Sequence, residues 1–169
     1  MSSLSVYLPN QASVPLKILT HGEDIQATLA EIGVRFTRQQ IDPIKPGTPS
    51  DTLWPLLTKG LEELALSDAP KQLIDTQQQA LDSYQAEHQR DTQSVYWVVG
   101  GRVLVYLNSG ERIYAVECAK NDVLTLPANL LHWLNFGEQP RAVIAHLPLA
   151  SVEPRYSHSL LPHQFADLF

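Results

Sequence analysis

A series of short apolar runs in the second half of the chain limits the possible folds more than any other feature. The runs are rich in β-branched and aromatic residues, and turn residues such as Gly100-Gly101 separate them. They cover residues 95–99, 102–107, 112–117, 123–126 and 142–147. Short, evenly spaced strands joined by turn dipeptides are typical of an antiparallel sandwich or barrel. The pattern therefore predicts an all-β core in which Gly100-Gly101 forms a hairpin turn.

Helical patterns precede these runs. Residues 20–33 predict an amphipathic helix in which Thr20 and Glu23 have the spacing of a capping box. Leucines at helical spacing predict a second helix over residues 51–66, with Ser50 as its N-cap. Shorter patterns predict strands over residues 34–38 and 72–76 and a helix over residues 77–85. The fold class expected is α+β, with N-terminal helices before the all-β core.

Length, charge and cysteine content restrict the classes of function. A chain of 169 residues, 44% of them hydrophobic, fits one domain over residues 1–169 with its own core, and residues 150–169 are expected to form a surface tail. The net charge of −6 and the lack of a basic cluster argue against nucleic acid or an anionic membrane as a partner. The sequence contains neither a secretory signal pattern nor an apolar stretch of membrane-spanning length. With a single cysteine, Cys118, these features predict a soluble, cytoplasmic, single-domain protein.

Two segments of the predicted core, residues 87–101 and residues 121–135, carry polar residues beside turns, and both resemble motifs of the cupin superfamily. The second is the closer match, at Asp122, Pro127, Asn129, His132 and Asn135. Asn129 stands where that motif has a glycine, and asparagine is the substitute expected at a positive φ.

Within the cupins, the chain is similar to the acireductone dioxygenases of methionine salvage. The similarity lies in Glu87-His88, in residues 120–122 and 126–128, and in His132-Trp133, and it extends upstream through residues 32–36. It implies a cupin double-stranded β-helix, a small antiparallel β-barrel, with its core at about residues 86–149. It also implies O₂-dependent cleavage of an enediol(ate) at an Fe²⁺ or Ni²⁺ ion.

The resemblance implies a metal ion held by three histidines and a glutamate, and the chain keeps only part of this set. His88 and His132 match the first and last ligands, whereas Arg90 and Ser94 stand at the other two positions. A guanidinium is always protonated and has no electron pair to donate. At about 4 Å it would be repelled by a divalent cation by roughly 8 kcal/mol at an effective dielectric of about 20. Stable sites usually need three protein ligands, so two imidazoles are too few.

Two interpretations of the site remain open at this point. His146 could point into the barrel and complete a three-histidine site with His88 and His132. Alternatively, Arg90 fills the volume of the metal and the cavity accepts an anion. By spacing, Tyr96 and His146 stand where the family has arginines that hold the substrate. The remaining side chains expected in the pocket are Ser94, Val98 and Leu134.

Four other residues have simpler interpretations. Glu87 and Asp91 could replace the missing carboxylate, but Glu87 has the wrong strand parity and Asp91 would need a bulge. By the same parity, Trp97 and Trp133 face away from the pocket and pack between sheet and helices.

Three functions are compatible with these residues. The first is the dioxygenase, with Fe²⁺ or Ni²⁺. The second is a catalytically silent, metal-free cupin that binds a small anion through Arg90 and the two histidines and acts as a sensor or regulatory paralogue. The third is a barrel kept for assembly through its edge strands, and the chain is expected to be a monomer or a homodimer. The direction of Arg90 separates the first two, because a guanidinium that faces His88 and His132 leaves no place for a metal ion.

Overall fold

The computed structural model describes residues 2–42, 44–45, 47–77 and 81–166. The strands are β1 (Ser3–Tyr7), β2 (Lys17–Leu19), β3 (Arg35–Arg38), β4 (Gln72–Asp75), β5 (His88–Gln89), β6 (Ser94–Asn108), β7 (Ile113–Ala119), β8 (Asp122–Leu126), β9 (Leu131–Asn135), β10 (Ala142–Pro148) and β11 (Arg155–Tyr156). The helices are α1 (Gly22–Ala30), α2 (Ser50–Glu63), α3 (Asp82–Gln85) and α4 (Leu161–Gln164). The mostly antiparallel sheet with helices around it confirms the predicted α+β class. None of the described helices is both long enough and apolar enough to cross a membrane.

Strand β6 organises the sheet because it pairs with different strands along its two halves. Its first half lies between β8 and β10, and its second half lies between β7 and β9. The predicted hairpin turn at Gly100-Gly101 is therefore wrong, since the chain continues through these glycines as one strand. Gly101 has a φ of +70°, and a Cβ atom there would lie 1.5 Å from the Arg141 carbonyl oxygen. Glycine is required because it allows a bend and a close approach between backbones where the strand changes partners.

The two long helices form close to where their apolar spacing predicts them. In α1, Ile25 and Leu29 are buried, but the helix begins at Gly22 and the predicted capping box does not form. In α2, Leu53 and Leu57 are fully buried, and Ser50 is the first helical residue rather than the cap. Residues 78–80 of the predicted short helix lie outside the described residues. Its remainder contains α3.

Apolar side chains pack on both faces of the strands. Tyr96, Val98 and Leu134 belong to one buried cluster, and α2 covers a second cluster that contains Trp97. Trp133 lies in a third cluster with Phe165. The alternation of strand side chains thus places both tryptophans away from the Tyr96 face, as predicted.

The C-terminal segment is mostly exposed, but the prediction of a surface tail over residues 150–169 is wrong at two points. Strand β11 pairs with β5, and Phe165 is completely buried against Tyr7 and Trp133. Phe165 directly follows α4, and an aromatic side chain can bury a large apolar area, which explains why the segment docks.

Candidate functional site

The two motif histidines come together in the sheet, as the resemblance predicts. His88 on β5 is the register partner of His132 on β9, and their ring centroids are 4.4 Å apart. Both side chains are buried, with exposures of 0% and 2%. The strands therefore hold the two imidazoles side by side in the interior.

Backbone carbonyls determine the tautomer of both rings. His88 Nδ1 lies 2.7 Å from the Ala86 carbonyl oxygen, and His132 Nδ1 lies 2.9 Å from the Leu130 carbonyl oxygen. A carbonyl oxygen only accepts hydrogen bonds, so each Nδ1 carries the proton and each Nε2 has the free electron pair. His132 Nε2 accepts a hydrogen bond from the Tyr96 hydroxyl at 2.9 Å. Among the described residues, His88 Nε2 has no hydrogen-bond partner.

His146 joins this cluster through Tyr96. It lies opposite Tyr96 in the β10–β6 pairing, and the two rings stack with centroids 4.5 Å apart. The Tyr84 hydroxyl donates to Gln72 Oε1 at 2.8 Å, and His146 Nδ1 lies 3.1 Å from that same oxygen and 3.3 Å from the Tyr84 hydroxyl. Both neighbours can accept a proton from Nδ1, so the free electron pair of His146 is on Nε2. This atom is also buried without a partner in the described part of the chain.

Arg90 faces the three histidines. Its side chain is 7% exposed, and its positive charge lowers the pKa of His88, His132 and His146. Nη1 of Arg90 and Oγ of the nearby Ser94 are buried without hydrogen-bond partners among the described residues. Across the ranges that the structure describes, no carboxylate lies within ion-pair distance of Arg90. The cluster thus contains a buried cation without a protein counter-ion.

Burial keeps all three imidazoles neutral. It lowers the pKa of His88 to about 4 and that of His132 to about 3, and the positive charge of Arg90 acts in the same direction. The pKa of His146 is also lowered well below its usual value, first by burial and then by Arg90. Burial raises the pKa of Tyr96, which therefore remains a hydroxyl. At neutral pH, Arg90 supplies the positive charge of this cluster.

The side chains present do not fit a metal ion. Over the described ranges, no group of three or more His, Cys, Asp or Glu side chains is placed to hold one. The conjectured site of His88, His132 and His146 is therefore not formed. Tyr96 explains why, since its hydroxyl bonds Nε2 of His132 while its ring covers His146. Arg90 adds a positive charge where a metal would need a donor.

The two carboxylates considered as replacements point elsewhere. Glu87 accepts hydrogen bonds from Asn108 at 2.9 Å and from Ser157 at 2.6 Å. The Asp91 side chain is 63% exposed and forms an ion pair with Arg155 at 2.6 Å. The replacement of the missing glutamate by either residue is therefore not observed.

The turn after β8 positions Arg90. Asn129 has a φ of +67°, which confirms the prediction for this position, and its backbone N–H donates to the Arg90 carbonyl oxygen at 2.8 Å. Arg155 joins the same region because it donates to Asn129 Oδ1 at 3.0 Å.

Residues Arg155–Ser157 bind along β5 and the residue before it, and we call them the C-terminal strap. Tyr156 is the register partner of His88, with ring centroids 5.9 Å apart. The Ser157 backbone N–H donates to the Glu87 carbonyl oxygen at 3.1 Å. Sequence reasoning missed the strap, and it also missed Gln72 and Tyr84 as partners of His146. The period-two pattern of β4 carries a signal for Gln72, which lies opposite His146.

Comparison with known proteins identifies similar sequences. The chain is 38% identical over 160 residues to the acireductone dioxygenase of Pseudomonas aeruginosa (strain UCBPP-PA14), covering 87% of this chain and 86% of the relative. It is 36% identical over 156 residues to that of Pseudomonas fluorescens (strain Pf0-1), with the same two coverages. It is 34% identical over 157 residues to that of Stutzerimonas stutzeri (strain A1501), again with the same coverages. No protein-family model matches the chain.

A solved structure shares the fold. It is described as acireductone dioxygenase from Bacillus anthracis with cadmium ion in active center. The TM-score is 0.74 and the match covers 92% of this chain and 98% of that one. Because the two sequences are only 16% identical, this likeness concerns the fold alone.

Proposed function

The chain belongs to the acireductone dioxygenase family of cupins, and we propose that it is a member whose site binds a small anion in place of a metal ion. In this proposal Arg90 provides the charge, and the surrounding histidines, Ser94 and Tyr96 provide the polar wall of the site. The binding would serve a sensor or regulatory role rather than catalysis.

One observation carries the proposal, namely the buried guanidinium without a counter-ion. Taking a charge out of water is unfavourable unless the charge is paired and hydrogen-bonded. Arg90 is 7% exposed, and among the described residues its Nη1 has no hydrogen-bond partner and no carboxylate lies within ion-pair distance. A bound anion would supply both the negative charge and an acceptor for Nη1, which the described residues do not provide.

The fold supports a further part of the proposal. We infer that β5–β10 form the small antiparallel barrel of the cupins, at about residues 86–149, within one domain over residues 1–169. The change of partners along β6 supports this inference, because strands that pass from one sheet to another at a bend form the corners between packed sheets. In this arrangement His88 and His132 would lie on an inner wall.

The test uses acetate as the probe, with three proteins. The wild-type chain, Arg90→Gln and the control Arg112→Gln, at a partly exposed position, are titrated with sodium acetate in a thermal-shift assay at constant ionic strength. We expect acetate to raise the melting temperature of wild type and Arg112→Gln and to leave that of Arg90→Gln unchanged, because only a ligand of the native state stabilises it. Equal responses of all three proteins would overturn the proposal.

Retained dioxygenase activity is the second candidate, favoured by the preserved pairing of His88 with His132. The two candidates differ in the metal content measured after reconstitution with Fe²⁺ or Ni²⁺ and removal of free ions. The anion-binding proposal predicts less than about a tenth of an equivalent, because two imidazoles are too few ligands for a stable site. One equivalent of metal that is lost in His132→Ala, together with O₂ consumption on an enediol, would establish the dioxygenase instead.

A further inference from the structure

We infer that the anion bound at this site carries a hydroxyl group, and that a small 2-hydroxycarboxylate monoanion is the class of ligand it selects. This inference rests on the proposed function and extends it, since it concerns which anion Arg90 attracts. It follows from four buried polar atoms that have no partner among the described residues: His88 Nε2, Arg90 Nη1, Ser94 Oγ and His146 Nε2.

The four atoms do not all require the same partner. Arg90 Nη1 is a donor and needs an acceptor such as a carboxylate oxygen. Nε2 of His88 and Nε2 of His146 carry free electron pairs, because Ala86 holds the proton of one ring on Nδ1 and Gln72 and Tyr84 hold that of the other. These two nitrogens therefore need a donor. Ser94 Oγ can take either role.

A simple carboxylate satisfies only part of this set. It has acceptor oxygens alone, so it would bind Arg90 and leave both imidazole nitrogens buried without a donor. A hydroxyl group beside the carboxylate can donate a hydrogen bond to Nε2 of His88 or to Nε2 of His146. Sites built to bond a ligand hydroxyl discriminate strongly against the analogue that lacks it, because the polar group of the protein is otherwise left unpaired.

The charge of the site favours a monoanion. Arg90 carries a single positive charge, and the side chains beside it include the buried imidazoles of His88, His132 and His146. A second negative charge on the ligand would have no partner among these side chains and would have to be desolvated. Dianions such as oxalate are therefore expected to bind more weakly than glycolate.

The experiment compares glycolate with acetate, which differ by one hydroxyl, using isothermal titration calorimetry at pH 7. We expect wild type to bind glycolate about tenfold or more tightly than acetate, which is the effect of one hydrogen bond in a buried site. Because one O–H donates to one nitrogen, the ratio is expected to fall toward one in either His88→Phe or His146→Phe, and a wild-type ratio in both variants would overturn the hydroxyl preference. His163→Phe, at an exposed position, serves as the control and keeps the wild-type ratio.

Nitrogen NMR tests the same inference without any substitution. Long-range ¹H–¹⁵N spectra of wild type are expected to show His88 and His146 protonated on Nδ1, with Nε2 signals that shift when glycolate is added and respond less to acetate. A proton on Nε2 of either ring would overturn the assignment of these atoms as acceptors.

Different results would overturn the hydroxyl preference and the anion site. Equal affinity for glycolate and acetate, both lost in Arg90→Gln, would overturn the hydroxyl preference and leave the anion site intact. Failure of both probes to bind, or binding that is unaffected by Arg90→Gln, would overturn the anion site itself.

Discussion

At the scale of the residue, Arg90 is held in an environment that is unfavourable for the free protein. The guanidinium is buried beside three neutral imidazoles, and no described acidic group neutralises it. Positions of this kind are retained when a ligand needs the charge, because stability alone would favour an apolar side chain of similar volume. The binding role proposed for Arg90 therefore has a consequence for stability.

Arg90→Met is expected to stabilise the ligand-free protein. Replacing buried ion pairs by apolar groups of similar volume often gains about 1–4 kcal/mol, and Arg90 lacks even the paired carboxylate among the described residues. The free energy of unfolding from urea titrations in a buffer without small carboxylates measures the effect. Arg112→Met, at a partly exposed turn position, is expected to change it by less than about 0.5 kcal/mol. A destabilised Arg90→Met protein would mean that Arg90 has structural partners in the folded state.

The buried histidines predict how stability depends on pH. The pKa of His88 is lowered from 6.5 to about 4, so between these values the unfolded chain binds a proton that the folded chain does not. Stability is therefore complete above pH 6.5 and falls as the pH is lowered toward 4, by about 1.4 kcal/mol per pH unit for each such histidine. Urea unfolding of wild type and His88→Gln between pH 7 and pH 4.5 measures this, and the variant is expected to show the shallower decline. Parallel curves would contradict the neutral, buried state of His88.

How far the site could be predicted depends on the kind of information that each residue needs. The resemblance of the motifs predicts the convergence of His88 with His132, whereas the sequence leaves the direction of Arg90 open. Nothing in the spacing predicts that the Tyr96 hydroxyl bonds His132 or that Gln72 and Tyr84 bond His146. Those contacts depend on the register between strands and on α3, which is short and carries no strong periodic signal.

At the scale of the element, the same distinction explains the error at Gly100-Gly101. A pair of glycines between two apolar runs fits a hairpin turn, and it equally fits a bend within one strand. The pairing with β10 distinguishes a bend from a hairpin turn. Strand β10 pairs with β6 along the segment that contains both glycines, and the register shifts between Val143 and Ile144, where β6 bends. This information lies about forty residues away along the chain, whereas the spacing of leucines that predicts α2 is entirely local.

Helix α2 depends on a close contact with the sheet, which can be tested by one methyl group. A Cβ atom on Gly60 would lie 2.3 Å from the fully buried Trp97 ring. Gly60→Ala is expected to destabilise the protein by about 1–3 kcal/mol through overpacking, measured by urea unfolding. Gly22→Ala is the matched control in α1, where no atom lies within 4 Å, and it is expected to be neutral or slightly stabilising. Similar effects of both substitutions would contradict the packing of α2 on Trp97.

The C-terminal strap is the smallest paired element over the site, and its attachment is testable. Arg155 bonds both Asp91 and Asn129, and β11 contributes only two residues to the sheet. Arg155→Ala is expected to increase hydrogen exchange of the amides in residues 87–89 and 155–157, because few other contacts hold this pairing. Global stability is expected to change by less than about 1 kcal/mol, since the ion pair is exposed. Unchanged exchange in these segments would show that Arg155 does not hold the strap.

At the scale of the whole molecule, the family and the site carry different information. Relatives at 34% to 38% identity place the chain among the acireductone dioxygenases, and the fold match extends over 92% of its length. A fold and a family nevertheless hold function only through the side chains of the site. Here strands β5 and β9 hold His88 and His132 side by side. At the two positions where the family resemblance implies further metal ligands, Arg90 and Ser94 have the wrong chemistry for a metal ion.

If only those side chains separate this chain from a metal site, restoring them should restore binding. The double variant Arg90→His/Ser94→Glu removes the positive charge and supplies the imidazole and the carboxylate that the family resemblance implies. We expect it to retain close to one equivalent of Ni²⁺ after gel filtration, measured by elemental analysis, whereas wild type retains less than about a tenth, because four donors then face the ion instead of two. Adding Tyr96→Phe frees Nε2 of His132 and is expected to tighten binding further.

The charge-only control Arg90→Gln, which removes repulsion without adding a donor, should remain metal-poor. Strong Ni²⁺ retention by that control would show that repulsion by Arg90 alone excludes the metal, and a metal-free double variant would show that the strands themselves no longer have the geometry of a ligand set.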